Sequence, residues 1–227
     1  MTKHQNFYAK LAGISYVTFT IAGLTKMFLN LKLTSIDMLE TNGLFQDEMQ
    51  FRFGIFLEII LFLAVILAST SFYAVTKSIN KQLSQTALCL RLVELIVGGM
   101  AVVFGITMLA IANKSYFPEL LDIEQMRIVL IVVSNFINPA YEYSWIFMGF
   151  AGIITFYLLS QARYIPKFLG VWGVITYSSL IIYPIAKLLI PNLPREVMFV
   201  MFPGALFELT VGIWLMIKGI NIPIKTS

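Results

Sequence analysis

The sequence predicts an all-α, polytopic transmembrane helix bundle, and three observations carry that prediction. Hydrophobic residues fill 59% of the 227 positions and charged residues only 12%, against roughly 25% charged in soluble domains. Mean hydropathy is +0.84, far above what a water-exposed surface tolerates. Apolar runs of helix length recur along the whole chain, each able to cross a hydrocarbon core of about 30 Å at about 1.5 Å per residue.

Residues 8–29 form the first run. It is too long for a signal-peptide core and no small-residue cleavage site follows, so a retained first helix is expected. Residues 53–74 give a second span containing Glu58. Residues 86–111 give a third, which holds Arg91 and Glu94 in a stretch otherwise apolar enough for lipid; at helical rise it reaches roughly 39 Å. Around Pro118, a helix breaker or starter, Lys114, Glu119, Asp122, Glu124 and Arg127 mark a solvated loop. Residues 128–137 then stay apolar for only about ten positions before Asn138 and Pro139, short of the roughly 17 needed to cross. A re-entrant or interfacial half-helix is expected there. Residues 141–160, 168–190 and 197–217 complete six spans, with seven as the alternative if the half-helix crosses. Neither an internal repeat nor a linker is evident, so residues 1–227 read as a single integral membrane domain.

Charge sets the orientation. With six spans, one side collects Lys3, Lys10, Lys77, Lys81, Arg91, Arg163, Lys167, Lys218 and Lys225, and no acid lies in its loops. Seven basic and nine acidic residues fall on the other side. The positive-inside rule therefore puts both termini in the cytoplasm. The net charge of +4 reports this topology and not nucleic-acid binding. His4 and Cys89 are the only residues of their types, so zinc, haem and imidazole chemistry lack ligands, an intrachain disulfide is impossible, and no metal or other cofactor is implied.

Three acids lie within spans. Helical rise places Glu58 about 10 Å from the outer edge, Glu94 about 12 Å from the inner edge and Glu208 near the middle. An unpaired carboxylate at such depth costs several kcal/mol, so all three are expected to face the bundle interior. Small residues share their helix faces: Gly204 and Gly212 flank Glu208, and Gly98, Ala101 and Gly105 follow Glu94, allowing neighbouring helices to approach closely. Glu208 could serve a tight helix contact or a ligand. Arg91 and Glu94, spaced i, i+3, are expected to pair structurally within their own helix.

The outer half carries more polarity than an interface needs. Lys26, Arg52, Lys187, Asn135 and Asn138 share it with Glu58 and Tyr141. Long basic side chains could merely extend to phosphates, and Tyr141 could belong to an interfacial aromatic belt. Taken together with Glu208 they predict an outward-opening ligand pocket lined by Glu58, Glu208, Arg52, Lys26, Lys187, Asn135, Asn138 and Tyr141.

Several stretches resemble a bacterial membrane family known as domain of unknown function 4386. They are Arg91-Leu92-Val93-Glu94, Tyr164 to Gly170, Pro191-Asn192, and Glu208 with Trp214 and Lys218-Gly219. The resemblance implies a multi-span helical protein of prokaryotic plasma membranes and supplies no reaction. It favours Arg91, Glu94 and Glu208 as family-typical positions. Where members often show His, Gly and an aromatic residue, this chain has Asn138-Pro139-Ala140-Tyr141.

Three functions follow. The first is binding or transport of a small amphiphilic or cationic molecule, or a lipid, by a bundle small enough that a homodimer is expected. A second is an intramembrane enzyme acting on lipid through Glu acid/base chemistry; the chain shows no nucleophile elbow or metal motif, so no catalytic residue is assigned. The third is a structural or regulatory partner whose buried charges specify assembly with another membrane protein.

Overall fold

A computed structural model describes residues 2–29, 31, 48–112 and 123–221. The described residues are helical throughout their regular structure: α1 (Thr2–Phe28), α2 (Glu48–Thr76), α3 (Lys81–Ala112), α4 (Ile123–Gln161), α5 (Lys167–Leu189), a short 3-10 helix (Arg195–Met201) and α6 (Pro203–Lys218). Six segments are long and apolar enough to span a membrane. The outward faces are lined by large apolar side chains such as Ile96, Val103, Ile175, Ile182 and Ile217, all exposed, while Glu58, Arg91 and Glu94 are buried. This inside-out distribution is that of a bundle whose solvent is lipid.

Residues 128–137 do not form a half-helix. They begin α4, a continuous 39-residue helix with Pro139 in its interior. Proline removes one backbone donor and frees the carbonyl of Asn135, which would end many helices in water. In membrane bundles neighbouring groups re-satisfy such carbonyls and the helix continues. At about 1.5 Å per residue α4 reaches roughly 58 Å, longer than the hydrocarbon core, so the segment lengthens the fourth span and adds no seventh crossing. The sixth span also differs from expectation. Its first turns are 3-10, and the α-helix proper starts only at Pro203, where a residue lacking a backbone N–H suits the first helical position.

Each helix packs on its neighbours in sequence and α6 returns to α1, closing a ring. The seam between α6 and α1 depends on glycine. A Cβ on Gly13 would lie 2.6 Å from the carbonyl oxygen of Gly212 and 2.7 Å from the amide nitrogen of Met216, so only glycine permits this backbone approach. Tyr16, Phe72, Phe156, Tyr177 and Phe207 fill the centre edge to face, with Phe156 stacked on Tyr177 at 5.5 Å. Gly173 makes room for the rings of Phe207 and Phe156, which a Cβ would meet at 2.7 and 2.8 Å.

The start of α1 and the end of α6 lie at one end, here the terminal end. There Asn6 Oδ1 accepts from Ile220 N at 3.1 Å, Gln5 Nε2 donates to Ser78 Oγ at 2.9 Å, and Asn221 N donates to the carbonyl of Tyr164 at 2.9 Å. Gly219 takes the positive φ of 66° that turns the chain out of α6 toward these contacts.

Gly13→Ala is expected to destabilise the bundle by about 1–3 kcal/mol through overpacking against backbone. Gly99→Ala, where a Cβ meets nothing within 4 Å, should be neutral or stabilising by up to about 1 kcal/mol. Thermal unfolding in detergent checks both; equal midpoints for the two variants would contradict the glycine seam.

Candidate functional site

The ring is not filled along its whole length. Between α1, α2, α3, α4 and α6 lies an open cavity of about 270 Å³, just below the ~300–1,000 Å³ of small-molecule pockets. Phe62, Leu61, Trp145 and Met148 supply apolar walls, and Thr20, Glu94, Tyr141, Ser144 and Glu208 supply the polar groups. Gly23 also faces this space, with nothing within 4 Å of the position a Cβ would take.

Helical spacing on α1 builds one wall, because Thr20, Gly23, Leu24 and Met27 fall on one stripe at i, i+3, i+4 and i+7. The Thr20 hydroxyl lies 3.3 Å from Glu208 Oε2. Tyr177, from α5, donates to Glu208 Oε1 at 3.1 Å and shares a 2.8 Å hydroxyl contact with Tyr16. Glu208 is therefore held by two side chains while remaining only half-buried, since it faces the cavity.

On α3, Arg91 Nη1 lies 2.7 Å from Glu94 Oε2, and Arg91 Nε reaches Ser69 Oγ at 3.4 Å. The contact with Glu94 is electrostatic more than directional: Arg91 Nη2 and Glu94 Oε2 have no hydrogen-bond partner among the described residues. Arg91 also acts electrostatically on Glu208. One guanidinium thus serves two carboxylates, and the group carries a formal charge of minus one when both are ionised.

A second cluster closes the far wall. Glu58, fully buried, forms an ion pair with Lys26 and accepts from the Tyr141 hydroxyl at 3.0 and 2.8 Å on its two oxygens. Lys26 Nζ also lies 5.4 Å from the Tyr141 ring centroid, within cation–π range. This cluster is charge-balanced and closed.

The pocket expected from sequence is therefore redistributed. Glu208 and Tyr141 line the cavity, while Glu58 and Lys26 stand behind Tyr141 and neutralise each other. Arg52 is exposed and paired with Glu48 at 2.5 Å. Lys187 is exposed and paired with Glu142 at 2.7 Å, and Asn135 is exposed on α4. Those three do not reach the cavity, because each sits on the outward side of its helix where water or headgroups solvate it. Asn138 lies in α4, but its side chain is outside the described residues. Glu94, expected as a partner for Arg91 alone, also faces the cavity. Thr20 is an addition to the cavity wall, and Tyr177 with Tyr16 beyond it stands behind Glu208 outside the cavity lining. Their signal in the sequence was a hydroxyl stripe on span one and a buried tyrosine, whose O–H must find a partner.

Residues 11–219 match the profile of the family described as Domain of unknown function (DUF4386). The chain belongs to that family. Every residue lining the cavity falls inside the matched region. Comparisons with curated proteins and with solved structures return no match.

Breaking the closed cluster should cost more than deleting it. Glu58→Gln strands the Lys26 charge and is expected to destabilise by about 3–5 kcal/mol, whereas the double variant Lys26→Met, Glu58→Leu should recover most of that loss. Unfolding midpoints in detergent decide it; a double variant no more stable than Glu58→Gln would contradict the mutual neutralisation.

Proposed function

We propose that this protein binds a small amphiphilic molecule bearing one positive charge within the cavity, as the recognition step of a transporter or receptor. One observation carries the reading: Glu94 and Glu208 face the same largely apolar space, and Arg91 pairs with the first of them. The unbalanced negative charge makes a monocation the complementary guest, since a buried charge without a partner is unfavourable by several kcal/mol. Trp145, Phe62 and Tyr141 offer aromatic faces to the cation and its apolar body.

In this reading the protein sits in a prokaryotic plasma membrane with its terminal end in the cytoplasm. Lys77 after α2, Lys81 at the start of α3, Arg163 after α4, Lys167 at the start of α5 and Lys218 at the end of α6 all occupy that end, as the positive-inside rule requires. Met27, at the last turn of α1, and Ala205, at the first turn of α6, line the cavity, so its mouth is directed away from the cytoplasm.

Phenyltrimethylammonium is a suitable probe, with tert-butylbenzene as its uncharged isostere. Calorimetry on protein in lipid nanodiscs is expected to show saturable binding of the cation. Glu208→Gln should weaken it about tenfold or more. Gly23→Leu should abolish it by filling the cavity without a backbone clash. Equal affinity for the two probes, or unchanged affinity in both variants, would sink the proposal. Orientation is tested separately in a Cys89→Ser background: Ser78→Cys should react with a membrane-impermeant maleimide only after cells are opened, and labelling of intact cells would reverse the topology.

A further inference from the structure

Tyr16 stands between two compartments. On the cavity side its hydroxyl meets Tyr177 at 2.8 Å, and Tyr177 donates to Glu208 at 3.1 Å. On its other side Tyr16 lines a narrow crevice together with Arg91, Ser69, Thr76 and Ser84. Thr76 is the last residue of α2 and Ser84 lies in the first turn of α3, so this crevice runs in from the terminal end. Its volume of about 20 Å³ holds about one water molecule. Arg91 Nη2, a buried donor without a hydrogen-bond partner among the described residues, belongs to a crevice-lining side chain and suits that water.

Between crevice and cavity the two phenols are set among aromatic rings, and beside them Arg91, which lines the crevice, pairs with Glu94 on the cavity at 2.7 Å. Phe72 and Phe156 pack on Tyr16 with centroids at 5.1 and 6.2 Å, and Phe156 and Phe207 pack on Tyr177 at 5.5 and 6.1 Å. A guest molecule has no passage there. A proton does. With Glu208 ionised, Tyr177 commits its own proton to the carboxylate, which makes Tyr16 the donor to Tyr177 and leaves the Tyr16 oxygen free to accept from the crevice. With Glu208 protonated, all three bonds reverse.

We infer that Tyr16 and Tyr177 form a proton relay that charges and discharges Glu208 from the terminal end while the guest enters from the opposite end. The step is a concerted shift. A hydronium ion in the crevice gives a proton to Tyr16 Oη, Tyr16 gives its own to Tyr177 Oη, and Tyr177 gives its own to Glu208 Oε1. Three O–H bonds break and three form, water is left behind, and neither a phenolate nor a protonated phenol accumulates. The groups around Glu208 are Tyr16 and Thr20 from α1, Arg91 and Glu94 from α3, and Tyr177 from α5; Tyr141 of α4 shares the cavity with it and is bonded to Glu58. Resting on the reading of Glu208 as the guest-binding carboxylate, the relay makes proton and cation competitors for one negative charge, supplied from opposite ends.

The test needs no guest. In proteoliposomes with the terminal end facing the lumen, a photoacid trapped inside releases protons on a flash, and infrared difference spectroscopy follows the protonated-carboxyl band of Glu208, assigned by its loss in Glu208→Gln. The band should rise in the wild type and rise at least about tenfold more slowly in Tyr16→Phe and Tyr177→Phe. With photoacid outside, Tyr16→Phe should match the wild type. A wild-type rate in Tyr16→Phe from the lumen, equal slowing from both sides, or no wild-type signal would each overturn the relay. Cation binding by Tyr16→Phe, read calorimetrically and expected within about threefold of the wild type because the Tyr177–Glu208 bond is kept, fails or succeeds independently of that result.

Discussion

Hydrocarbon cannot solvate a charge, and that constraint organises this bundle from its centre outward. Three carboxylates have been threaded into helices that lipid surrounds, and each has turned inward to a different solution. Glu58 takes a lysine and a tyrosine and becomes neutral. Glu94 takes Arg91 from its own helix. Glu208 takes only hydroxyls, from Thr20 and Tyr177, and shares in the field of Arg91. The first solution is structural. The last leaves a carboxyl group beside open space with no base of its own, and the proposed recognition of a guest rests on that difference.

The small residues serve the same end. Gly13 and Gly212 bring α1 and α6 into backbone contact, and that closeness is what delivers Thr20 to Glu208. Gly152 leaves room for the ring of Tyr177, which a Cβ would strike. Because tight seams alternate with a cavity, the bundle is dense where phenols meet carboxylate and hollow where Glu208 and Glu94 look at each other. Membrane helices lack a hydrophobic drive to associate, so close packing of this kind and buried polar contacts supply the adhesion.

Hydropathy made the six crossings legible, since a run of apolar residues has no other stable place to go. The inward direction of the acids was legible for the same reason. Two things were not. Proline after a ten-residue apolar run reads as a helix end by the rules of water, yet α4 continues through Pro139 because a bundle in lipid mends the broken hydrogen bond. The membership of the site was also misread in part. Arg52 and Lys187 share a leaflet with Glu58, but depth along a helix does not fix the angle around it, and each had an acid of its own within reach. Tyr16 and Tyr177 lie 161 residues apart, and only the closure of α6 and α5 around α1 reveals that their hydroxyls touch.

The contacts among Gln5, Asn6, Ser78, Tyr164, Ile220 and Asn221 have a mechanical consequence. They tie the beginnings and ends of the helices into a clasp at one pole, while at the opposite pole Gln50 Nε2 donates to the Leu29 carbonyl and Lys187 pairs with Glu142. The start of α1, the turn between α2 and α3, the turn between α4 and α5 and the end of α6 are thereby fastened in one knot, so a change in any one of these contacts is felt by the helices on either side of it.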